Sequence, residues 1–419
     1  MRHERLLGAV TRGSVAAFFI LSLSLAACGG GGASSGGVIK IATDLPVSGT
    51  DAAQGLPTQY GVDLAISQNQ NLGGGYTLTF EHKNDEGASG ADPTVGASNI
   101  SALLADPQVM AVVGPFNSGV AKAEIPVATN GGLVLMSPTN TNPGLTKEQY
   151  AQANGINFSQ LHPSGSKEYY FRVCATDDVQ GKVDAQIAQG APINATTVYV
   201  VDDDTTYGKG LANFFVQNFT GKVLGRQSIT PAQVGNLNSL ATTIANANPD
   251  VVFYGGVTSQ GGGALKKDLV AANYNKSMVG GDGIADDPGW LQTAGSAAVN
   301  TYGTVAAPDP SSLTTSDAQK FKSDYTTFVQ GKSDNDLLPY SAQAYAAATI
   351  EIAAIKSVIA SGKPVTRAAV RDAIASSSTP TIIGTISFDQ GGDNSGQKVF
   401  SIYTVDSTGK WVFDKSVTA

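Results

Sequence analysis

The fold class is decided by one stretch, residues 109–146: VMAVVGPFNSGVAKAEIPVATNGGLVLMSPTNTNPGLT. It begins with a short apolar run, continues through a helical segment at 119–130, and returns to a second apolar run. Two such runs around a helix indicate parallel strands that are buried on both faces. The second run then turns abruptly polar, with Ser137, Thr139 and Thr141 at alternate positions. A buried strand that ends in hydroxyl groups suggests an exit into a binding site.

The same alternation of strand and helix recurs along most of the chain. Strands are expected at 38–42, 109–114, 132–136, 197–202 and 250–256, with another near 278–280. Helices are expected at 54–69, 92–105, 119–130, 207–219, 237–247, 259–272, 316–330, 340–361 and 366–376. Three antiparallel strands in a meander are expected after residue 380. This order predicts a parallel, doubly wound α/β architecture.

The N-terminus resembles an export signal. Residues 1–12 are basic, and the apolar run at 15–27 is too short to span a bilayer. Small residues before Cys28 resemble a bacterial lipobox, which implies a signal peptide at 1–27 and lipidation of the Cys28 sulfur. A plain secretory signal with an incidental cysteine is the alternative. Residues 28–37, rich in Gly and Ser, are expected to form a flexible tether.

Length, charge and cysteine usage narrow the class of protein further. A chain of 419 residues exceeds one ordinary core, so two lobes or domains are expected. The net charge is −8, and it would fall to −10 without residues 1–27, so nucleic acid is not expected as a partner. If Cys28 carries lipid, Cys174 has no disulfide partner. Cys174 is then expected to be a buried structural thiol.

The sequence offers little for catalysis or metal binding. Beyond the signal it contains two histidines, His82 and His162, in separate segments, and it has no zinc-binding spacing. The Gly-rich segment 255–263 lacks the lysine of a phosphate-binding loop. The three aspartates at 202–204 could hold a cation, but acidic residues between a strand and a helix are more often caps. We therefore expect no enzyme activity, no cofactor and no metal.

Four polar segments that follow or adjoin predicted strands are candidates for a binding site: 45–55, 112–120, 135–146 and 279–287. In open α/β sheets, ligands bind beyond the carboxyl ends of the strands. Asn117, Ser118 and Gly119 begin a helix, and a helix N-terminus offers free N–H groups that suit a carboxylate. Asp282 is an acceptor that could meet an ammonium group. Together these segments indicate recognition of a small charged or polar molecule.

The same residues resemble the type I periplasmic binding proteins of the branched-chain amino-acid ABC transporters. The likeness is carried by residues 112–146, by PVSG near the N-terminus, by VVDDDTTYGKG around Tyr207, and by DVVFYGG, GGDGIAD and FDQGGD. No single motif is decisive, but the ordered set covers nearly the whole chain from Val38. The resemblance implies an exported, monomeric, non-catalytic lipoprotein. It would be anchored on the outer side of the cytoplasmic membrane or in the periplasm, and it would deliver an amino acid or a similar solute to an ABC permease.

The resemblance also implies two α/β lobes joined by three chain crossings. Lobe 1 would comprise 38–173 plus 308–381, and lobe 2 would comprise 174–307 plus 382–419. The ligand would lie between the lobes, which close on it by a hinge.

The family's amino-acid site can be carried over to this sequence. Ser118 and Thr141 fall where hydroxyl and backbone N–H groups hold the ligand carboxylate. Thr139 falls where a backbone carbonyl accepts a hydrogen bond from the ammonium group, and Asp282 falls where an acidic residue pairs with it. Tyr207 falls where a tyrosine closes over the ligand.

The side-chain pocket of the family is matched less closely. Phe116 and Tyr340 occupy positions that line this pocket. Gln54 stands where leucine-type binders have a tyrosine, and Val257 replaces an aromatic residue. Asn117 stands where those proteins have a cysteine, and the partner cysteine near position 85 is also absent, so the family's disulfide is missing. The resemblance therefore implies a ligand-binding set of Gln54, Phe116, Asn117, Ser118, Thr139, Thr141, Tyr207, Asp282 and Tyr340, with an unspecified ligand side chain.

Three other functions remain open at this level. The same fold and site would serve a sensor that presents its bound ligand to a signalling receptor. The solute could also be an amide, urea or an aromatic acid. A hydrolase with Ser118 as nucleophile would need a nearby base, and the sequence places no histidine or lysine beside it.

Overall fold

A computed structural model describes residues 36–419, so the predicted signal peptide, Cys28 and most of the tether lie outside the described residues. In chain order, the first elements are β1 (Val38–Asp44), α1 (Ala52–Ser67), β2 (Asn71–Gly73), β3 (Tyr76–Lys83), β4 (Glu86–Gly87), β5 (Gly90–Ala91), α2 (Pro93–Ala105), β6 (Val109–Val113), α3 (Ser118–Gly131), β7 (Val134–Ser137), α4 (Glu148–Ala151), α5 (Phe158–Leu161) and β8 (Tyr170–Arg172).

The remaining elements are α6 (Asp177–Gln189), β9 (Thr197–Asp202), α7 (Thr206–Asn218), β10 (Lys222–Ser228), α8 (Asn238–Ala247), β11 (Val251–Gly255), α9 (Gly262–Ala271), β12 (Ser277–Gly280), α10 (Pro288–Ala294), β13 (Thr301–Val305), α11 (Ser316–Phe328), α12 (Pro339–Ala360), α13 (Arg367–Ala375), β14 (Ser378–Thr381), β15 (Gly384–Ser387), β16 (Val399–Val405) and β17 (Trp411–Thr418). Short 3-10 helices lie at Pro143–Leu145, Gln152–Asn154, Pro231–Gln233, Thr258–Gln260, Gly295–Ala298 and Pro310–Ser312.

Two large sheets organise the described chain. The first sheet has the order β2-β3-β1-β6-β7-β8, and its strands are parallel apart from β2. The second has the order β10-β9-β11-β12-β13-β16-β17, parallel from β10 to β13 and antiparallel at β16 and β17. The predicted α/β class with two doubly wound parallel sheets is confirmed.

Each sheet is covered by helices on both faces. Helices α1, α12 and α13 pack on one face of the first sheet, and α2 and α3 pack on the other. Helices α8, α9 and α10 cover one face of the second sheet, and α6 and α7 cover the other. Central strands such as β6 and β11 are buried at every residue, which explains their unbroken apolar sequences.

The last crossing between the sheets differs from the expected one. We expected the chain to leave the first lobe between Thr381 and Ile382. Instead, β14 pairs antiparallel with β15, and Ile382 and Ile386 are buried in clusters with residues of the first-sheet half. The chain joins the second sheet only at β16. The predicted meander is therefore wrong in its first strand, because the apolar side chains of β15 find their burial beside α12 rather than beside β16.

Two further features of residues 36–419 bear on the class of protein. No helix in this range combines the length and the apolar character that crossing a membrane requires. Cys174 is buried and has no disulfide partner, and its thiol donates a hydrogen bond to the Asn140 carbonyl at 3.2 Å. This hydrogen bond agrees with the predicted structural role of Cys174.

Candidate functional site

Segments that follow β6, β7, β9, β11 and β12 converge on one small cavity. It is lined by Phe116, Asn117, Ser118, Thr139, Thr141, Tyr207, Val257, Asp282 and Gly283. Seven of the nine predicted ligand residues therefore lie together, drawn from both sheets. The open space is about 20 Å³, room for roughly one water molecule. A solute of amino-acid size requires the surrounding groups to move apart before it can enter.

Gln54 and Tyr340 line a second, adjoining cavity of about 10 Å³ that shares Asp282 with the first. The ring of Tyr340 packs edge-on against Phe116, with 5.9 Å between the ring centres. Gln54 and Ser118 therefore line different cavities.

The N-terminus of α3 forms one wall of the first cavity. Asn117 precedes the helix without capping it, and its Oδ1 atom has no hydrogen-bond partner within residues 36–419. Ser118 begins the helix, and its Oγ accepts a hydrogen bond from the Asn142 N–H at 3.4 Å. The N–H groups of a first helical turn have no partner inside the helix, and the positive end of the helix dipole lies there. This wall is suited to a carboxylate.

The segment after β7 forms the adjacent wall. Ser137 Oγ accepts hydrogen bonds from the N–H groups of Thr139 and Asn140 at 3.2 and 2.9 Å, which closes a tight turn. Thr139 Oγ1 donates to the Phe116 carbonyl at 2.6 Å, so this hydroxyl is already engaged. Thr141 Oγ1 is buried, and within the described chain it makes no hydrogen bond. Thr141 can therefore offer its hydroxyl to a ligand, while Thr139 has only its backbone to offer.

Arg172, which the sequence did not single out, fixes this segment from behind. Its Nη1 donates to the carbonyls of Asn140 and Asn142 at 3.0 and 2.7 Å, and its Nη2 donates to Thr146 Oγ1 at 2.5 Å. Its Nε donates to Asp393 Oδ1 at 2.6 Å. Burial alone would raise the pKa of Asp393, but the charge of Arg172 lowers it below its ordinary value. The buried guanidinium thereby joins the segment after β7 to the last crossing.

Asp282 forms the opposite wall and accepts three side-chain hydrogen bonds. Tyr207 Oη and Gln180 Nε2 donate to its Oδ1, both at 2.9 Å, and Tyr340 Oη donates to its Oδ2 at 2.5 Å. Burial raises the pKa of Asp282, and the bonds from Tyr340, Tyr207 and Gln180 act in the opposite direction. Three donors directed at one carboxylate stabilise its ionised form, which is the form that attracts a cationic group.

Two more acidic side chains lie on the same side of the site. Asp177 and Asp184 are completely buried in α6, and burial raises the pKa of each well above its usual range. The charge of Asp282 raises both further. Asp177 lies near Thr141, but neither of its carboxylate oxygens is hydrogen-bonded in the described chain. This wall is therefore rich in acceptors and suits an ammonium group.

The sequence reasoning missed Asp177, Gln180 and Asp184 because it placed no helix at 177–189. A signal was available: the three polar residues recur at intervals of three and four residues, which places them on one face of a helix. A polar stripe between the small and apolar residues of α6 could have indicated a buried polar site.

The acidic segment at 202–204 has a structural role. Asp202 pairs with Arg226 at 3.0 Å. Asp203 accepts hydrogen bonds from the N–H groups of Thr205 and Val257 at 3.0 and 2.9 Å, which joins the start of α7 to the end of β11. These partners agree with capping rather than with a cation site at this position.

The two histidines serve the scaffold as well. His162 contacts Glu168 through Nδ1 and the Leu145 carbonyl through Nε2, each at 2.7 Å. His82 contacts Thr43 at 2.8 Å and Asp63 at 3.2 Å. Neither histidine contacts Ser118, so the hydroxyl at the start of α3 has no histidine base.

The two halves of the molecule touch across the site. Asn142 Nδ2 donates to the Thr206 carbonyl at 2.8 Å, and Gln260 Nε2 donates to the Ser89 carbonyl at 2.6 Å. A groove of about 750 Å³ extends outward from the small cavity and shares several of its lining residues. The molecule is thus closed around the polar cavity, and the groove leads from it to the exterior.

The cavity lies where the strand ends of two α/β sheets face each other. It has a helix N-terminus on one wall and a carboxylate on the other. This arrangement defines a two-lobed solute-binding protein. Residues 38–410 match the model of the family described as periplasmic binding protein. The chain belongs to that family, and membership implies a place outside the cytoplasm.

Individual proteins show the same likeness. The Leu/Ile/Val-binding protein BraC3 of Rhizobium johnstonii is 28% identical over 389 residues, which cover 91% of this chain and 94% of that protein. The branched-chain amino acid transporter substrate binding protein LivJ of Streptococcus pneumoniae, solved in complex with isoleucine, has a TM-score of 0.74 at 23% identity and covers 91% of this chain and 99% of that one. A solute binding protein of R. palustris in complex with benzoate has a TM-score of 0.69 at 22% identity, over 90% of this chain and 95% of that one.

Proposed function

We propose that this protein binds an amino acid, branched-chain or related, outside the cytoplasm and delivers it to the permease of an ABC importer. One observation carries the proposal. A single cavity has the α3 N-terminus and the Ser118 and Thr141 hydroxyls on one wall, and the Asp282 carboxylate on the other. A zwitterion presents a carboxylate, which suits the first wall, and an ammonium group, which suits the second. Each charge-assisted hydrogen bond contributes roughly 1.5–3 kcal/mol.

The names of the similar proteins support this choice of ligand. BraC3 is named for leucine, isoleucine and valine, and the LivJ structure contains isoleucine. The two positions that differ from leucine-type binders also border the site: Gln54 lines the smaller cavity with Asp282, and Val257 lines the larger one with Ser118 and Asp282. The proposal therefore specifies the charged groups of the ligand, a carboxylate and an ammonium group, and does not specify the side chain of the amino acid.

The location of the protein in the cell is inferred from the sequence. We infer that Cys28 carries lipid and holds the protein at a membrane surface, and that the protein works as a monomer without catalysis. The contact partners of His162 and His82 support the last point, because both histidines are engaged by the scaffold.

The experiment is a thermal-shift panel on the mature chain with aliphatic amino acids, aromatic amino acids, amides, urea and aromatic acids. A solute at a hundredfold excess over its Kd should stabilise the protein by about 2.7 kcal/mol, which raises the melting temperature. Leucine, isoleucine or valine should give a shift, and urea should not. If no amino acid moves the melting temperature while another class does, the proposal is wrong.

An aromatic acid is the second candidate, favoured by the benzoate complex of a similar protein. Its carboxylate would suit the α3 N-terminus and Ser118. It carries no ammonium group, so Asp282 would remain without a cationic partner. Benzoate in the same panel separates the two ligands, and a benzoate shift that exceeds every amino-acid shift would favour this candidate.

A further inference from the structure

Three acidic side chains meet in the first-sheet half, apart from the ligand cavity. Asp44 ends β1, Asp85 follows β3, and Glu124 lies in the second turn of α3. All three are completely buried. One carboxylate oxygen from each lies within 4.8 Å of the oxygens from the other two.

These carboxylates have almost no hydrogen-bond partners. Asn99 Nδ2 donates to Asp44 Oδ1 at 2.9 Å. The other Asp44 oxygen, both Asp85 oxygens and both Glu124 oxygens accept no hydrogen bond from a donor side chain in residues 36–419. The Asp44 and Glu124 carboxyl groups face each other at a distance at which a shared proton would join them. None of the three forms an ion pair with a lysine or arginine in that range. An unsatisfied buried polar group is costly, and an unpaired buried charge is more so.

We propose that Asp44, Asp85 and Glu124 bind one divalent metal ion of the calcium class. Calcium takes oxygen ligands at 2.3–2.6 Å, so two oxygens on one ion lie up to about 5 Å apart. The three oxygens lie within 4.8 Å of one another, which is compatible with this limit. The ion would satisfy the oxygens that the protein leaves without partners.

The competing arrangement is a cluster that shares protons. Burial raises the pKa of Asp44 to about 6, and it raises the pKa of Asp85 and of Glu124 well above the ordinary range. The groups that face the cluster are Lys83 beside Asp44, and the acidic Asp51 and Glu86 beside Asp85. In the absence of a cation, burial therefore favours the protonated forms of these carboxyl groups. A bound ion must displace those protons, so its affinity rises with pH.

The position of Glu124 connects this site to the ligand cavity. Helix α3 carries Ser118 in its first turn and Glu124 in its second. A cation bridging Glu124 to the ends of β1 and β3 would hold the helix that presents its N-terminus to the ligand. Asp44, Asp85 and Glu124 lie in separate segments of the chain, so no local pattern indicates this site, and the expectation of no metal did not consider it.

The test is calorimetric titration of the EDTA-treated mature chain with Ca²⁺, Mg²⁺ and Mn²⁺ at pH 6.5 and pH 8.0, in two buffers of different ionisation heat. One Ca²⁺ should bind per chain, with proton release and with affinity about tenfold higher at pH 8.0. Asp85→Asn and Glu124→Gln should each reduce Ca²⁺ affinity at least tenfold. Glu351→Gln is the matched control, because Glu351 is also buried without hydrogen bonds to its carboxylate but has no acidic neighbour among its pKa influences.

Absence of saturable binding of all three cations to the wild-type chain would overturn the proposal and favour shared protons. Undiminished binding in both cluster variants would overturn it equally. If either variant fails to fold, electron paramagnetic resonance of Mn²⁺ bound to the wild-type chain, with Ca²⁺ as competitor, still counts the sites. Because no amino acid is present in these measurements, their outcome is independent of the proposed ligand.

Discussion

At Asp282 the structure changes the roles of two residues that were assigned to the ligand. The resemblance implies that Tyr207 covers the ligand and that Tyr340 lines its side-chain pocket. In the structure both phenol groups donate hydrogen bonds to Asp282, together with Gln180. The two tyrosines thus hold a carboxylate in position from both halves of the molecule, whatever further contact they make with a ligand.

Asp282→Asn tests the ammonium assignment. The amide keeps the shape of the side chain but removes its charge, so amino-acid affinity should fall by about 1.5–3 kcal/mol, or roughly 10- to 150-fold. Titration calorimetry with the best amino acid of the panel measures this change. Asp414→Asn, at an exposed position in β17, is the control and should bind normally. Equal affinity in Asp282→Asn and wild type would remove Asp282 from the site.

At the scale of elements, the predictions succeeded for most interior strands and failed at sheet edges, at the interior strand β13 and in a helix with a polar buried face. The interior strands β6, β9 and β11 lie within a few residues of their expected bounds. The strands β3 and β10 were not predicted, because they lie near or at sheet edges and mix exposed with buried residues. Helix α6 was missed because its buried face includes polar residues.

The segment after β7 also depends on a distant element. Its residues 137–146 were predicted as a loop of the binding site, which their place at the cavity supports. The sequence did not indicate that Arg172 and Asp393 hold this loop. Their pairing joins β8 to the last crossing, so the shape of the site relies on a contact between residues far apart in the chain.

Arg172→Met should lower the free energy of unfolding by about 3–5 kcal/mol, because it removes the buried charge that pairs with Asp393 and leaves only Lys147, 3.6 Å from the other carboxylate oxygen. Urea denaturation measures this loss. Lys167→Met is the matched control: its ion pair with Asp372 is about half exposed on both sides, so the loss should be about 0–1 kcal/mol. Similar losses in the two variants would show that the buried pair has no special role in stability.

At the scale of the whole molecule, many buried acids give stability an unusual pH dependence. Burial raises the pKa of Asp286 to about 8, and the negative charges of Asp309, Asp336 and Asp287 contribute to this rise. Burial likewise raises the pKa of Asp63 to about 7. Unfolded carboxyl groups titrate near pH 4. The folded state therefore binds more protons between about pH 4 and pH 8, and stability falls as pH rises through this window.

Urea denaturation in EDTA should therefore give a lower free energy of unfolding at pH 9 than at pH 7. Asp286 alone should account for about 1 kcal/mol of the difference. Asp286→Asn should reduce the dependence, and asparagine tolerates the positive φ of 52° at this position. Lys266 acts in the opposite sense over this pH range, because burial lowers its pKa to about 8. His82 does so only at lower pH, because burial lowers its pKa to about 4. A pH dependence that is the same in Asp286→Asn and in the wild type would contradict the assignment.

The sequence by itself determined the α/β class, most of the interior strands and helices, and the strand ends that meet at the cavity. These follow from local periodicity and from the rule that parallel strands end at one edge of a sheet. Only the tertiary structure decided the partners of Asp282, the anchoring of the loop by Arg172, the place of the last crossing, and the meeting of Asp44, Asp85 and Glu124. Each of these depends on contacts between distant segments, which no local pattern encodes. Burial then gives those contacts their energy, because a charged group removed from water must find a partner or a proton.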